Sequence, residues 1–156
     1  MRSKKTAISA AVFVAVGTLA TSSVATATPG SGSSPSTPLV IGTLDGPQKT
    51  KGDGIEFKTK KDVAVLDFEL TYLPLGYSGW HEHPGIVIAT VKSGQVERQL
   101  GCGPAQTFTV GETFTEVGPH FVSNASTTTP AVLSITQIVP AADVNARRID
   151  LPAPTC

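Results

Sequence analysis

Three imidazoles carry the most versatile chemistry in this chain: His81, His83 and His120 are its only histidines. Neutral imidazole is the commonest protein ligand for transition metals and titrates near neutral pH. Three of them on one ion leave an open coordination position, the arrangement in which a zinc-bound water is acidified toward neutrality. Whether they converge depends on the backbone. His81 and His83 flank one residue in His81-Glu82-His83-Pro84-Gly85. On a helix, side chains two apart diverge by about 200°; on a strand they share a face. The flanks suit a strand, with Trp80 before and the run Ile86 to Val91 after the Pro-Gly turn. His81 and His83 are therefore expected to point into one interior, with Glu82 pointing away. The spacing is not that of H-E-x-x-H, which needs histidines four apart on a helix.

Strands must position these groups, because strands are what the rest of the sequence spells. Leu66, Phe68, Leu70 and Tyr72 alternate with Asp67, Glu69 and Thr71, a period of two that leaves the acidic side solvated. Ile86 to Val91 reads as a strand buried on both faces. Gln95 to Leu100, Thr107 to Val110, Thr113 to Glu116, His120 to Ser123 and Ala131 to Val139 come next, separated by Gly94, Gly111, Gly118-Pro119 and Pro140. Ala141 to Arg148 has room for a turn or two of helix. Tyr72, Tyr77 and Trp80 read as core rather than as the rim of a pocket. Many short strands with Gly/Pro turns predict an all-β sandwich or closed antiparallel barrel, one domain spanning 39–156.

Two segments precede that domain. Residues 1–27 have the parts of a secretory signal peptide: Arg2, Lys4 and Lys5, then the apolar run Ala7 to Ala20, then Ala25-Thr26-Ala27. The apolar run is shorter than the roughly 20 residues a membrane span needs. Residues 28–38, Thr-Pro-Gly-Ser-Gly-Ser-Ser-Pro-Ser-Thr-Pro, hold no apolar residue but proline and predict a disordered linker. Removing the signal takes three of the 12 basic residues and none of the 12 acidic ones. The acidic remainder gives no basic stripe for nucleic acid, no attraction to anionic membranes and no membrane span in the mature chain. Export also frames the two cysteines. Cys102 and Cys156 predict one disulfide, worth about 4 kcal/mol in the chain-entropy model. Metal ligation by the pair is the competing reading, disfavoured because neither sits in a C-x-x-C.

The spacing of Gly76, His81-x-His83, Pro84-Gly85 and Gly94 resembles the first cupin motif, and Gly111, His120 and Asn124 resemble the second. The resemblance covers roughly Leu66 to Val139 and is closest to small, secreted, single-domain bacterial cupins. It implies a jelly-roll β-barrel whose interior holds a metal on three histidines and, usually, a glutamate. This chain departs from the pattern there: Val87, followed by Ile88, occupies the glutamate position, and Val117 stands where a proline is expected. The metal ligands carried over are therefore His81, His83 and His120, with Asn124 supporting a turn. Glu112, Glu116 and Gln95 are the candidates for a late ligand, their strand parity unresolved. Three neutral nitrogens suit Zn, Fe, Ni or Cu better than Mn or Mg.

The function expected is that of a secreted metal-binding barrel acting on or binding a small organic molecule. Turnover would be of the oxygenase, isomerase or lyase kind; the alternative is a binding barrel without turnover. Apolar Val87 and Ile88 favour an organic ligand. A homodimer is left open. Ser-His-Asp, Walker and Rossmann signatures are absent from the sequence.

Overall fold

The structure, a computed structural model, describes residues 26–156. The expected signal peptide lies outside the described residues except for its last two. Among the described residues thirteen strands are formed: β1 Ser31–Pro35, β2 Val40–Leu44, β3 Lys49–Gly52, β4 Ile55–Lys58, β5 Val63–Tyr77, β6 His81–Glu82, β7 Ile86–Ser93, β8 Gln95–Leu100, β9 Gln106–Thr109, β10 Thr113–Glu116, β11 His120–Ser123, β12 Ala131–Pro140 and β13 Ile149–Asp150. A short 3-10 helix, Ala141–Ala146, lies between β12 and β13. Every strand pairing is antiparallel.

One wall runs β10-β7-β12-β5, with β1 and β2 end to end on the far edge of β5. The facing wall runs β9-β8-β11-β6-β13. β5 joins them, because its last residue, Tyr77, pairs with Ser123 of β11. The turn into the second wall comes at Leu75, whose φ of 59° is rare for a leucine and whose N–H donates to Ser126 O. Asn124 secures the same corner. Its amide donates to the Tyr72, Leu73 and Thr129 carbonyls and accepts from Ser126 N–H. β3 and β4 form a separate hairpin.

Strand alternation builds the interior. Along β12 the inward row is Ala131, Leu133, Ile135, Gln137 and Val139. β7 contributes Val87, Ala89 and Val91, β8 Val96 and Arg98, β10 Phe114 and Glu116, and β11 His120 and Val122. The apolar members other than Val139 form one core with Tyr72, and Val139 packs separately with Ala64 and Leu66; each large side chain contributes about 1.5–3 kcal/mol by leaving water. The antiparallel jelly-roll barrel and the Cys102–Cys156 bond are both present.

Two expectations are corrected. Residues 28–38 are not a disordered linker. Ser31–Pro35 pairs with β5, and Thr28 donates through both its N–H and its hydroxyl to Leu151 O while accepting from Trp80 N–H. A segment with no apolar side chains can still add to a sheet edge, because pairing uses only backbone groups. The ordered barrel therefore begins before Leu39. β7, in turn, is buried on one face only: Ile86 and Ile88 remain more than a third exposed. No layer covers the outer side of this wall among the described residues, so the β-branched run reflects strand propensity rather than double burial.

Candidate metal centre

His81 and His120 are direct partners across the β6–β11 pair, so their side chains leave the sheet on the same side. His83, just beyond β6, joins them. The ring centroids lie 4.1 Å apart for His81–His120, 4.9 Å for His81–His83 and 5.2 Å for His83–His120. The two motif regions thus meet inside the barrel. The host of the cluster is an antiparallel jelly-roll β-barrel.

Each imidazole of this barrel is oriented by a backbone carbonyl. His81 Nδ1 is 3.0 Å from Gly79 O, His120 Nδ1 2.7 Å from Gly118 O and His83 Nδ1 2.6 Å from Arg147 O. A carbonyl only accepts, so each Nδ1 carries a proton and donates, making Nε2 the lone-pair nitrogen of the neutral ring; at His83 the Gln137 amide nitrogen also lies 2.9 Å from Nδ1, the two donors converging on the Arg147 carbonyl. This is the outer arrangement that fixes tautomer and ring orientation in metal-ligating histidines. Two of the three come from one local device. Gly79-Trp80-His81 and Gly118-Pro119-His120 each place a glycine with φ near +70° two residues before the histidine. A side chain disfavours that backbone, and at Gly79 a Cβ would also collide with the Thr28 carbonyl oxygen. Gln137 holds the third carbonyl, donating from Nε2 to Arg147 O at 2.7 Å.

The fourth group is Glu116. Its Oε2 lies 3.3 Å from His120 Nε2 and 3.7 Å from His83 Nε2, and its side chain is buried. The ligand atoms of His81, His83, Glu116 and His120 all fall within 4.8 Å of one another. Of the three candidates for a late ligand, this one is brought to the cluster. Glu112 is exposed and caps Thr109, and Gln95 is exposed at a turn. Glu116 is the register partner of Val87 across the β10–β7 pair. Val87 is itself buried against the same cavity. A carboxylate is thus supplied from the neighbouring strand, directly opposite the position where the cupin motif would place one. The cluster therefore contains a carboxylate beside the three expected imidazoles.

The electrostatics are those of a site built for a cation. Burial pushes the His81 pKa down to about 2, reinforced by His120 and Arg148. Burial also lowers that of His83, against the opposing effects of the Arg147 carbonyl and Glu116. Neutral imidazoles result, and neutral imidazole is the ligating form. His120 Nε2 is fully buried without a hydrogen-bond partner. What it faces is the Glu116 carboxylate, whose Oε2 lies 3.3 Å away. A buried orphan of this kind costs about 1–3 kcal/mol; a divalent ion between the two atoms would satisfy both. The residues present fit a metal.

A cavity of about 430 Å³ adjoins the cluster. Tyr72, Val87, Leu133 and Gln137 line it, and residues 29–33 and Pro35 of the N-terminal strand region close one side. Tyr72 is buried; desolvation, with Glu116 adding to it, raises its pKa, so the phenol keeps its proton. Tyr77 instead stacks on Phe121 at the surface, and Trp80 packs on the same ring from a buried position.

No family model and no curated protein matches the sequence. Among solved structures, the chain is similar to a recombinant oxalate oxidase in complex with glycolate, at 23% identity over 46% of this chain and 40% of that one, TM-score 0.42. The chain therefore aligns with less than half the length of that enzyme. A cupin-like protein from Thermotoga maritima matches at 20% identity over 60% and 79% of the two chains, TM-score 0.46. A double-stranded β-helix protein from Klebsiella pneumoniae matches at 22% over 56% and 73%, TM-score 0.44.

Proposed function

We propose that the barrel holds one divalent transition ion on the Nε2 atoms of His81, His83 and His120 and on the Glu116 carboxylate, and that it acts there on a small organic molecule. The observation that carries this reading is the partnerless His120 Nε2 opposite the buried Glu116 carboxylate. Four protein ligands leave one or two positions open, and an ion so held would supply Lewis acidity to an oxygen of the bound molecule. One carboxylate beside three imidazoles keeps Zn, Fe, Ni and Cu in the set and adds Mn, which the oxygen donor favours.

The chain's own groups then have distinct roles. Gly79 O, Gly118 O and Arg147 O keep the lone pairs aimed at one point. The apolar cavity wall excludes water from one side of the ligand. Tyr72, protonated and facing the same space, is the hydroxyl available to donate a hydrogen bond to it. The disulfide fits an oxidising compartment, and with the basic, apolar and small-residue segments of 1–27 supports export as the working reading.

Metal analysis of protein purified without added metal, followed by titration of the stripped protein with Zn(II), Mn(II) and Fe(II), tests the site. Stoichiometry near one that disappears in His120→Ala is the expected result. Full-strength binding by that variant would refute the assignment. Turnover is tested by offering small organic acids and alcohols to the loaded protein under air and under nitrogen. Binding without any conversion would instead favour a carrier.

A further inference from the structure

The cavity beside the cluster has two unlike walls. Phe68 and Leu70 of β5 and Leu133 and Ile135 of β12 form an apolar one. Arg148 and Asp150, from the segment after the 3-10 helix, stand at another side. Arg148 is held in place rather than free. Its Nε and Nη2 both lie 2.7 Å from Asp150 Oδ1, and Nη2 donates to Ser78 O at 2.6 Å. Its Nη1 has no protein acceptor among the described residues. A guanidinium fixed on one edge keeps the other edge's donors preorganised, which lowers the ordering cost of binding an oxyanion. Arg148 is also near enough to the cluster to disfavour protonation of both His81 and His83.

Charge points the same way. Arg148 and Asp150 cancel, and a divalent ion with Glu116 and Arg147, which also lines the cavity, leaves a net positive charge there. A neutral ligand leaves that charge uncompensated, whereas an anion offsets it. We infer that the site takes a small organic acid with an apolar body, the carboxylate reaching Arg148 and the body lying along Phe68, Leu70, Leu133 and Ile135. The net-charge part of this rests on the metal reading above; the pairing of Arg148 with an apolar wall does not.

Titration calorimetry of acetate, butanoate, hexanoate and octanoate, with hexanamide as the neutral match, tests it on the zinc-loaded and metal-free chain. Hexanoate should bind at least tenfold more tightly than acetate and than hexanamide. Arg148→Gln should erase the acid-over-amide preference while zinc affinity, measured separately, stays within about twofold. Asp150→Asn, which frees Arg148 of its counter-charge, should tighten hexanoate severalfold and leave hexanamide unchanged. This second variant decides the matter if Arg148→Gln does not fold. Equal affinity for acid and amide, an acid preference that survives Arg148→Gln, or no detectable binding of any acid would overturn the inference. Failure of zinc to bind would sink the metal reading instead, and the acid-to-amide ratio in metal-free protein would still judge Arg148.

Discussion

The two halves of the barrel interior are made by the same strands and do opposite things. On β7, Val91 fills one half and Val87 borders the cavity in the other; on β10 the pair is Phe114 and Glu116; on β11 it is Val122 and His120. A step of two or four residues along a strand keeps the side chain inward and exchanges a sealed apolar core for a polar cluster. In the sealed half the apolar groups satisfy one another by contact. In the other half a buried lone pair faces a carboxylate. Stability and binding are thus separated along the barrel axis rather than between layers.

Substitutions at the two ends should separate just as cleanly. The largest effect is expected from Phe114→Ala in the sealed half, a loss of about 3–5 kcal/mol from lost burial and the cavity left behind. Urea unfolding of metal-free protein measures it. Zinc affinity of the folded fraction should stay within a few-fold, and a loss as deep as that of a ligand variant would show the two halves to be coupled. Next is Glu116→Gln. Removing the charged ligand should weaken metal binding by on the order of a hundredfold, beyond the usual effect of an outer-shell change. The same change should leave the metal-free protein as stable or more so, because a carboxamide can donate to His120 Nε2. Opposite signs in the two measurements are the signature sought; destabilisation of metal-free protein would show that Glu116 and His120 already satisfy each other without a metal.

Acid should find the polar half first. His81 and His83 are held neutral in the folded protein, whereas in the unfolded chain they take a proton below about pH 6.5. The unfolded state then binds more protons, so the stability of metal-free protein is intact above that pH and falls as pH drops toward the depressed folded values. The slope is at most about 1.4 kcal/mol per pH unit for each histidine. A melting temperature flat from pH 7 to pH 4 would contradict it. The smallest effect is assigned to Gln137→Leu, which leaves the Arg147 carbonyl without its second donor. About tenfold weaker zinc binding is expected, with little change in unfolding.

Much of this division could be read in the sequence. Period two alone puts His81 and His83 on one face, and the glycine and proline punctuation delimits most strands. Glu116 was less legible, although a local signal was available: Phe114, two residues earlier, is apolar and inward, so Glu116 shares its face. What no local pattern carries is the register that sets Glu116 opposite Val87, because that pairing depends on how two strands more than twenty residues apart align. The N-terminal strand was hidden for a different reason. Ser31–Pro35 joins the sheet through backbone bonds alone, and hydrophobic periodicity is blind to those.

The segment from Arg147 to Leu151 has a consequence for the timing of assembly. Its Arg147 carbonyl orients His83, β13 pairs with His81 and Glu82, and Leu151 O receives Thr28. Cys156, tied to Cys102, anchors the C-terminal residues beyond Leu151. Every one of these contacts joins points far apart in the chain, the slow kind to form. A nascent polypeptide still lacking that stretch could pair His81 with His120 but would lack the carbonyl that orients His83, so the four-residue site would be completed only after synthesis. Selectivity for the ion is then exercised only where the finished chain folds, so the metal acquired would reflect the ions present in that compartment.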